Sequence, residues 1–138
     1  VLPALTDNIK NYNKTLNFNI RINFFLTLTF LIPLILFSKK ILSLYGDGYG
    51  NTRLFVFLIS SALFSSFSSV VGSAIASLGI MWTGFVFNLL WAIYMILFSI
   101  LFINQGMGAI GLAYAVFLSY LIHGISQFIF LKVFNKNN

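Results

Sequence analysis

Four apolar runs, each long enough to cross a bilayer and joined by short polar links, limit what this sequence can fold into. They are residues 20–38 (IRINFFLTLTFLIPLILFS), 54–79 (LFVFLISSALFSSFSSVVGSAIASLG), 81–103 (MWTGFVFNLLWAIYMILFSILFI) and 107–131 (MGAIGLAYAVFLSYLIHGISQFIFL). A hydrocarbon core about 30 Å thick is spanned by about 20 residues of helix. In lipid every backbone N–H and C=O must be paired within the protein, which leaves helices and closed barrels. The runs lack strict alternation and are about twice the length of a barrel strand. The expected fold is therefore all-α: a polytopic membrane protein with a four-helix transmembrane segment over residues 20–131.

The composition agrees. Of 138 residues, 59% are hydrophobic and 7% charged, against about 25% charged in a soluble domain. The formal net charge is +6, and the basic residues fall in the gaps between apolar runs or at their edges. That placement suits lipid headgroups and topology control and argues against nucleic-acid binding. No cysteine is present, so no disulfide framework or thiolate metal site is expected. The chain begins at Val1 and reads as a piece of a longer one. Residues 1–19 read as the end of a preceding helix and a polar cytoplasmic linker, and residues 132–138 as a cytoplasmic tail.

The links at 77–80 and 104–106 are short, so successive helices are expected to be antiparallel neighbours. The link at 39–53 is longer; its ILSLY stretch suits the membrane interface and its GDGYG a tight reversal. Lys10, Lys14, Arg21, Lys132 and Lys136 share one side of the membrane, and Lys39, Lys40 and Arg53 the other. This excess favours both ends in the cytoplasm. Arg21 and Arg53 stand at the rims of their spans, where long side chains reach the headgroups.

The polar residues inside the runs carry the functional information. In the second run, Ser61, Ser65, Ser69, Gly72 and Ala76 recur at spacings of three or four, which puts them on one helix face. Two readings stand. The stripe is a close-packing face that holds helices together, or it is a smooth, weakly polar wall that slides on a partner or faces a hydrated cavity. Serine hydroxyls can bond back to the preceding turn, so neither reading needs an outside partner. If the face slides, Ser69→Leu or Gly72→Leu blocks function without blocking insertion.

The third run carries Asn88, whose amide loses several kcal/mol facing lipid and must find a partner helix or water. Trp91 lies mid-span beside it, against a neighbour or a cavity, while Trp82 reads as an interfacial anchor. The fourth run aligns Tyr120, His123 and Gln127 at i, i+3 and i+7. His123 is either a neutral imidazole bonded to a neighbour or a functional group, as intramembrane ionisable residues often are. Asn88, Trp91, Tyr120, His123 and Gln127 are thus the substrate-cavity candidates. Pro33 removes a backbone donor and is expected to kink the first helix. No HExxH, phosphate-binding loop or carboxylate pair is present, and Asp7 and Asp47 both lie in links. No enzyme activity, cofactor or metal is expected.

Several stretches resemble polysaccharide flippases of the multidrug/oligosaccharidyl-lipid/polysaccharide exporter superfamily. These are LPAL at residues 2–5, the polar linker, the helix with a central Pro33, KKILSLYGDGYG with its LYG turn at 44–46, ASLGIMWTGFVFNLLW at 76–91 and GAIGLAYAVFLSYLIHGISQ at 108–127. The resemblance covers almost the whole chain. It implies the last four helices of a twelve-helix, two-bundle transporter in a bacterial cytoplasmic membrane. The implied activity is alternating-access translocation of undecaprenyl-diphosphate-linked oligosaccharide for O-antigen or capsule synthesis. The implied partners are that lipid-linked oligosaccharide, membrane lipids, the N-terminal bundle of the same protein and polysaccharide polymerase machinery. A coupling ion is left open. Family cavities of this type are cationic, whereas no Lys or Arg lies deep in a span here. Any charge clamp is then at Arg21 and Arg53 or in the other bundle. Two alternatives stand beside it: a multidrug or lipid II exporter of the same superfamily, and a non-transporting membrane scaffold.

Overall fold

A computed structural model describes residues 9–46 and 51–137 of the chain. Residues 2–5 and 47–50, which carry part of the family likeness, and both acidic residues lie outside the described residues. Within them the chain forms helices α1 (Ile9–Leu36), α2 (Ser38–Ser43), α3 (Thr52–Ser77), α4 (Met81–Asn104) and α5 (Gly108–Asn137), with no strand. All but α2 are long and apolar enough to cross a membrane. The protein is an all-helical, multi-pass membrane protein.

The helix ends follow from local chemistry. Asn51 caps α3, its side-chain oxygen accepting from the Leu54 N–H at 3.1 Å. Gly106 ends α4 at φ +78°. There the Met107 N–H reaches the Phe102 carbonyl at 3.1 Å and the Gly106 N–H the Ile103 carbonyl at 2.9 Å. A side chain at that φ would be strained, so glycine makes this tight reversal possible.

Two helices run longer than their apolar runs. α1 begins at Ile9 rather than at residue 20, and α5 continues past residue 131 to Asn137. The Asn-rich start reads as a linker by hydropathy, yet Tyr12, Leu16 and Ile20 lie four residues apart on one helix face. Tyr12 and Leu16 are buried in a cluster with Val71, Ala74, Ile75 and Leu131, and Ile20 packs against it. The Tyr12 hydroxyl donates to the Ala74 carbonyl at 3.3 Å. Nearby, the Asn135 amide donates to Asn13 at 3.5 Å. At 28 residues α1 is about 42 Å long, beyond an apolar core of about 30 Å. Its polar first turns therefore suit the headgroup layer, clasped against the end of α5.

The helices stand in the spatial order α1, α3, α5, α4, with α5 sharing extensive interfaces with both α3 and α4. α3 and α4 touch little despite their short turn. This corrects the expectation that every short link joins helices packed side by side. Small residues on α5 explain the insertion: Gly111, Ala113, Ala115, Ser119 and Gly124 are buried, and at Gly124 the Ser68 hydroxyl comes within 2.9 Å of where a Cβ would stand. Close backbone approach of this kind drives helix association in lipid. Farther along the same seam, Phe57 meets Tyr114 edge-to-face at 4.5 Å and Phe64 meets Phe117 at 5.1 Å.

Farther along, α1 also joins α3 through polar contacts. Thr27 Oγ1 lies 2.9 Å from Ser66 Oγ, and the Ser66 hydroxyl donates to Asn23 Oδ1. Thr27 also donates to the Asn23 carbonyl at 2.8 Å. α1 continues through Pro33, and the chain turns at Phe37, whose N–H bonds the Pro33 carbonyl at 2.9 Å.

Candidate functional site

Because α3 and α4 diverge from their shared turn, a groove opens between them, with α5 as its floor. Its volume is about 490 Å³. α3 contributes Ser65, Ser68, Ser69, Gly72 and Ala76; α4 contributes Met81, Gly84, Phe85 and Asn88; α5 contributes Tyr120, His123 and Gln127. These come from the C-terminal half of α3, the N-terminal half of α4 and the middle of α5. The groove therefore sits toward the end of the bundle that carries the start of α1 and the end of α5.

The structure thus brings four of the five cavity candidates, Asn88, Tyr120, His123 and Gln127, to one surface. Trp91 is placed behind it, its ring 5.1 Å from Tyr120 and 6.5 Å from His123. The serine stripe divides. Ser65, Ser69, Gly72 and Ala76 line the groove, with Ser69 and Ala76 exposed, while Ser61 is buried and donates to the Leu58 carbonyl at 2.6 Å. Ser65 and Ser69 also border a second, mainly apolar hollow between α1 and α3. The residues of α3 that pack most tightly are Ser68, Val71, Ala74 and Ile75, on the neighbouring face. Arg21 and Arg53 are exposed and lie away from the groove, and Pro33 is on α1.

The groove presents mostly apolar surface interrupted by amide, hydroxyl and imidazole groups, and it carries no charge: no Lys, Arg, Asp or Glu lines it. Its buried floor holds polar atoms without protein partners. Gln127, only 3% exposed, has an unpaired Oε1, and Ser68, 5% exposed, an unpaired Oγ. The neighbouring Trp91 Nε1 and Ser119 Oγ are also buried without partners. His123 is buried and bonded to the backbone of Phe87 on α4. Unpaired polar groups are costly in a low-dielectric interior, and all four of these atoms are enclosed by protein. Among the described residues no group of His, Cys, Asp or Glu could hold a metal ion.

Sequence reasoning missed two features. Ser68 falls three residues from Ser65 and four from Gly72, so it fits the stripe as well as Ser69 does. Asn23 and Thr27 stand i, i+4 in an apolar run, the spacing of a shared helix face, and Ser66 meets them there. Comparison with known protein families, curated proteins and solved structures returned no match. The functional reading therefore rests on the groove and on the resemblance carried by the residues quoted above.

Proposed function

We propose that this chain forms part of a transporter that moves lipid-linked oligosaccharide across the bacterial cytoplasmic membrane by alternating access. The observation that carries the reading is the uncharged groove, with amide and hydroxyl groups set in a mainly apolar wall, that opens sideways between two membrane-length helices. A lateral opening lets a hydrophilic headgroup lie among amides and hydroxyls while its hydrocarbon tail stays in lipid. The apolar outer surface of α4, with Leu89, Ile93, Ile96, Leu97 and Ile100 exposed, suits that tail or the surrounding acyl chains. On this reading the small residues of α3 form a wall along which cargo or a neighbouring helix moves with little steric hindrance. The basic excess at the chain ends favours a cytoplasmic position for both, and with that orientation the groove faces the cytoplasmic leaflet.

Gly84→Leu tests this, because an added Cβ at Gly84 meets nothing within 4 Å and the larger side chain projects into the groove. In a strain lacking the gene, lipid-linked repeat units should accumulate on the cytoplasmic face. The wild-type gene should clear them; Gly84→Leu should insert normally and fail to do so. Clearance by a normally inserted Gly84→Leu protein would show that cargo does not use this groove. Absence of any accumulation in the deletion strain would remove the transport reading itself.

A further inference from the structure

We infer that the crevice between α1 and α5 holds a membrane phospholipid of net negative charge, its phosphate at Lys132 and one acyl chain descending along α3. The crevice is independent of the transport reading and lies on the other side of α3 from the groove: Phe64 and Phe67 line the one, Ser65, Ser69 and Gly72 the other. At the headgroup end, α1 and α5 enclose a notch of about 340 Å³ whose polar side chains are Asn13, Asn17, Lys132 and Asn135. Asn13, Asn17 and Lys132 are exposed, so a ligand reaches them directly. The Asn13 oxygen accepts from Asn135, which leaves the Asn13 amide nitrogen to donate elsewhere. Lys132 Nζ stands 5.3 Å from the centre of the Phe128 ring, which steadies the ammonium beside the notch. Among the described residues there is no Asp or Glu to neutralise it.

Deeper in the crevice the lining changes. A hollow of about 270 Å³ opens, walled by Phe24 of α1, Phe64 and Phe67 of α3, and Leu121, Gly124 and Ile125 of α5, with no polar side chain. Phe128 of the notch meets Phe67 of the hollow at 5.6 Å, so one aromatic wall joins the two. Phe24 stands seven residues after Asn17, and Ile125 seven before Lys132, about 10 Å of helix rise on each side. A cation and amides at headgroup level, with an apolar hollow beneath them, follow the order of parts in a phospholipid. A phosphodiester accepts from Asn13, Asn17 and Lys132 and carries the one negative charge that Lys132 balances. A choline headgroup adds an ammonium beside Lys132 with no carboxylate to receive it, so lipids of net negative charge are preferred. Inorganic phosphate would satisfy the notch and leave the hollow unfilled.

The test uses the chain in phosphatidylcholine nanodiscs, with Trp82→Phe and Trp91→Phe removing both native tryptophans. Phe24→Trp, 49% exposed at the hollow, then reports on the crevice. Val86→Trp, 52% exposed on α4, reports on ordinary lipid. Phosphatidylglycerol or phosphatidylcholine with brominated acyl chains is added as a minor component, and quenching of each tryptophan gives the relative affinity of the two lipids. At position 24 phosphatidylglycerol should be preferred about fivefold, the effect of one basic side chain near the surface; at position 86 the two should quench equally. Lys132→Gln, at an exposed position that tolerates the change, should abolish the preference. Inorganic phosphate at 50 mM, a concentration of about that order exceeding what a tail-less ion needs for weak binding, should leave quenching unchanged. Equal quenching by both lipids at position 24, the same preference at both positions, or a preference that survives Lys132→Gln would each overturn the inference. Relief of quenching by inorganic phosphate would overturn it too, because the notch would then take the ion without the lipid.

Discussion

Helices α4 and α5 are joined by a short turn and are similarly long, yet they occupy opposite situations. α4 is the more apolar, with mean hydropathy 2.4 over its span, and none of its residues is buried. α5 has mean hydropathy 1.6 and a third of its best window buried. In water the apolar helix would be the central one. In lipid, acyl chains solvate Leu and Ile as well as another helix does, so apolar surface gives no drive toward the centre. Small residues and hydroxyls do, because they permit backbone approach and interhelical hydrogen bonds. The more polar helix therefore takes the middle of the bundle and the most hydrophobic one its edge.

The sharpest way to break this comparison is at a glycine on each helix. At Gly124 on α5 a Cβ would come within 2.9 Å of Ser68 Oγ and 3.1 Å of Phe67 Cδ1. Gly124→Leu should force α3 and α5 apart and cost about 3 kcal/mol, the upper part of the overpacking range. Gly84→Leu on α4 meets no neighbour and should leave stability within about 0.5 kcal/mol of wild type. Unfolding in bicelles by steric trapping measures both. Equal losses would mean that α4, too, is packed against protein along its groove-facing side.

A smaller effect is expected at the α1–α3 seam, which is held by the apolar cluster around Tyr12 and Leu16 toward one end and by a polar knot farther along. Ser66→Ala removes the hydroxyl that Asn23 and Thr27 share. The same unfolding measurement should show a loss of about 1 kcal/mol, within the range for interhelical hydrogen bonds in membranes. A loss as large as that of Gly124→Leu would place the main anchor of the bundle at α1 and not at α5.

The same physics explains what was legible beforehand. Four helices could be read from run length alone, since lipid allows few alternatives. The cavity candidates could be read from spacing, because Tyr120, His123 and Gln127 share a face whatever surrounds them. Which helices pack together could not, because the short turn at residues 78–80 fixes only one end of α3 and α4, and Gly124 decides where α5 goes. The groove exists only through that divergence, so its composition was readable and its shape was not. The start of α1 was hidden by asparagines that hydropathy counts as linker, although Tyr12, Leu16 and Ile20 carry the helical period through them.

The smallest predicted effect is the most direct check on α4. Leu97 is 57% exposed. In the folded protein its side chain meets lipid, and in the membrane-embedded unfolded helix it meets lipid again. Leu97→Ala changes nothing that differs between the two states, so unfolding in bicelles should shift by no more than about 0.5 kcal/mol. A buried leucine truncated in the same way costs about 2–5 kcal/mol, from lost packing and the cavity left behind. The gap between these values is wide enough to read. A loss in the larger range would mean that another protein surface, in place of acyl chains, covers the outer face of α4. In that case the low burial of this helix would describe an unfilled interface, and the contrast with α5 would be one of partner and not of solvent.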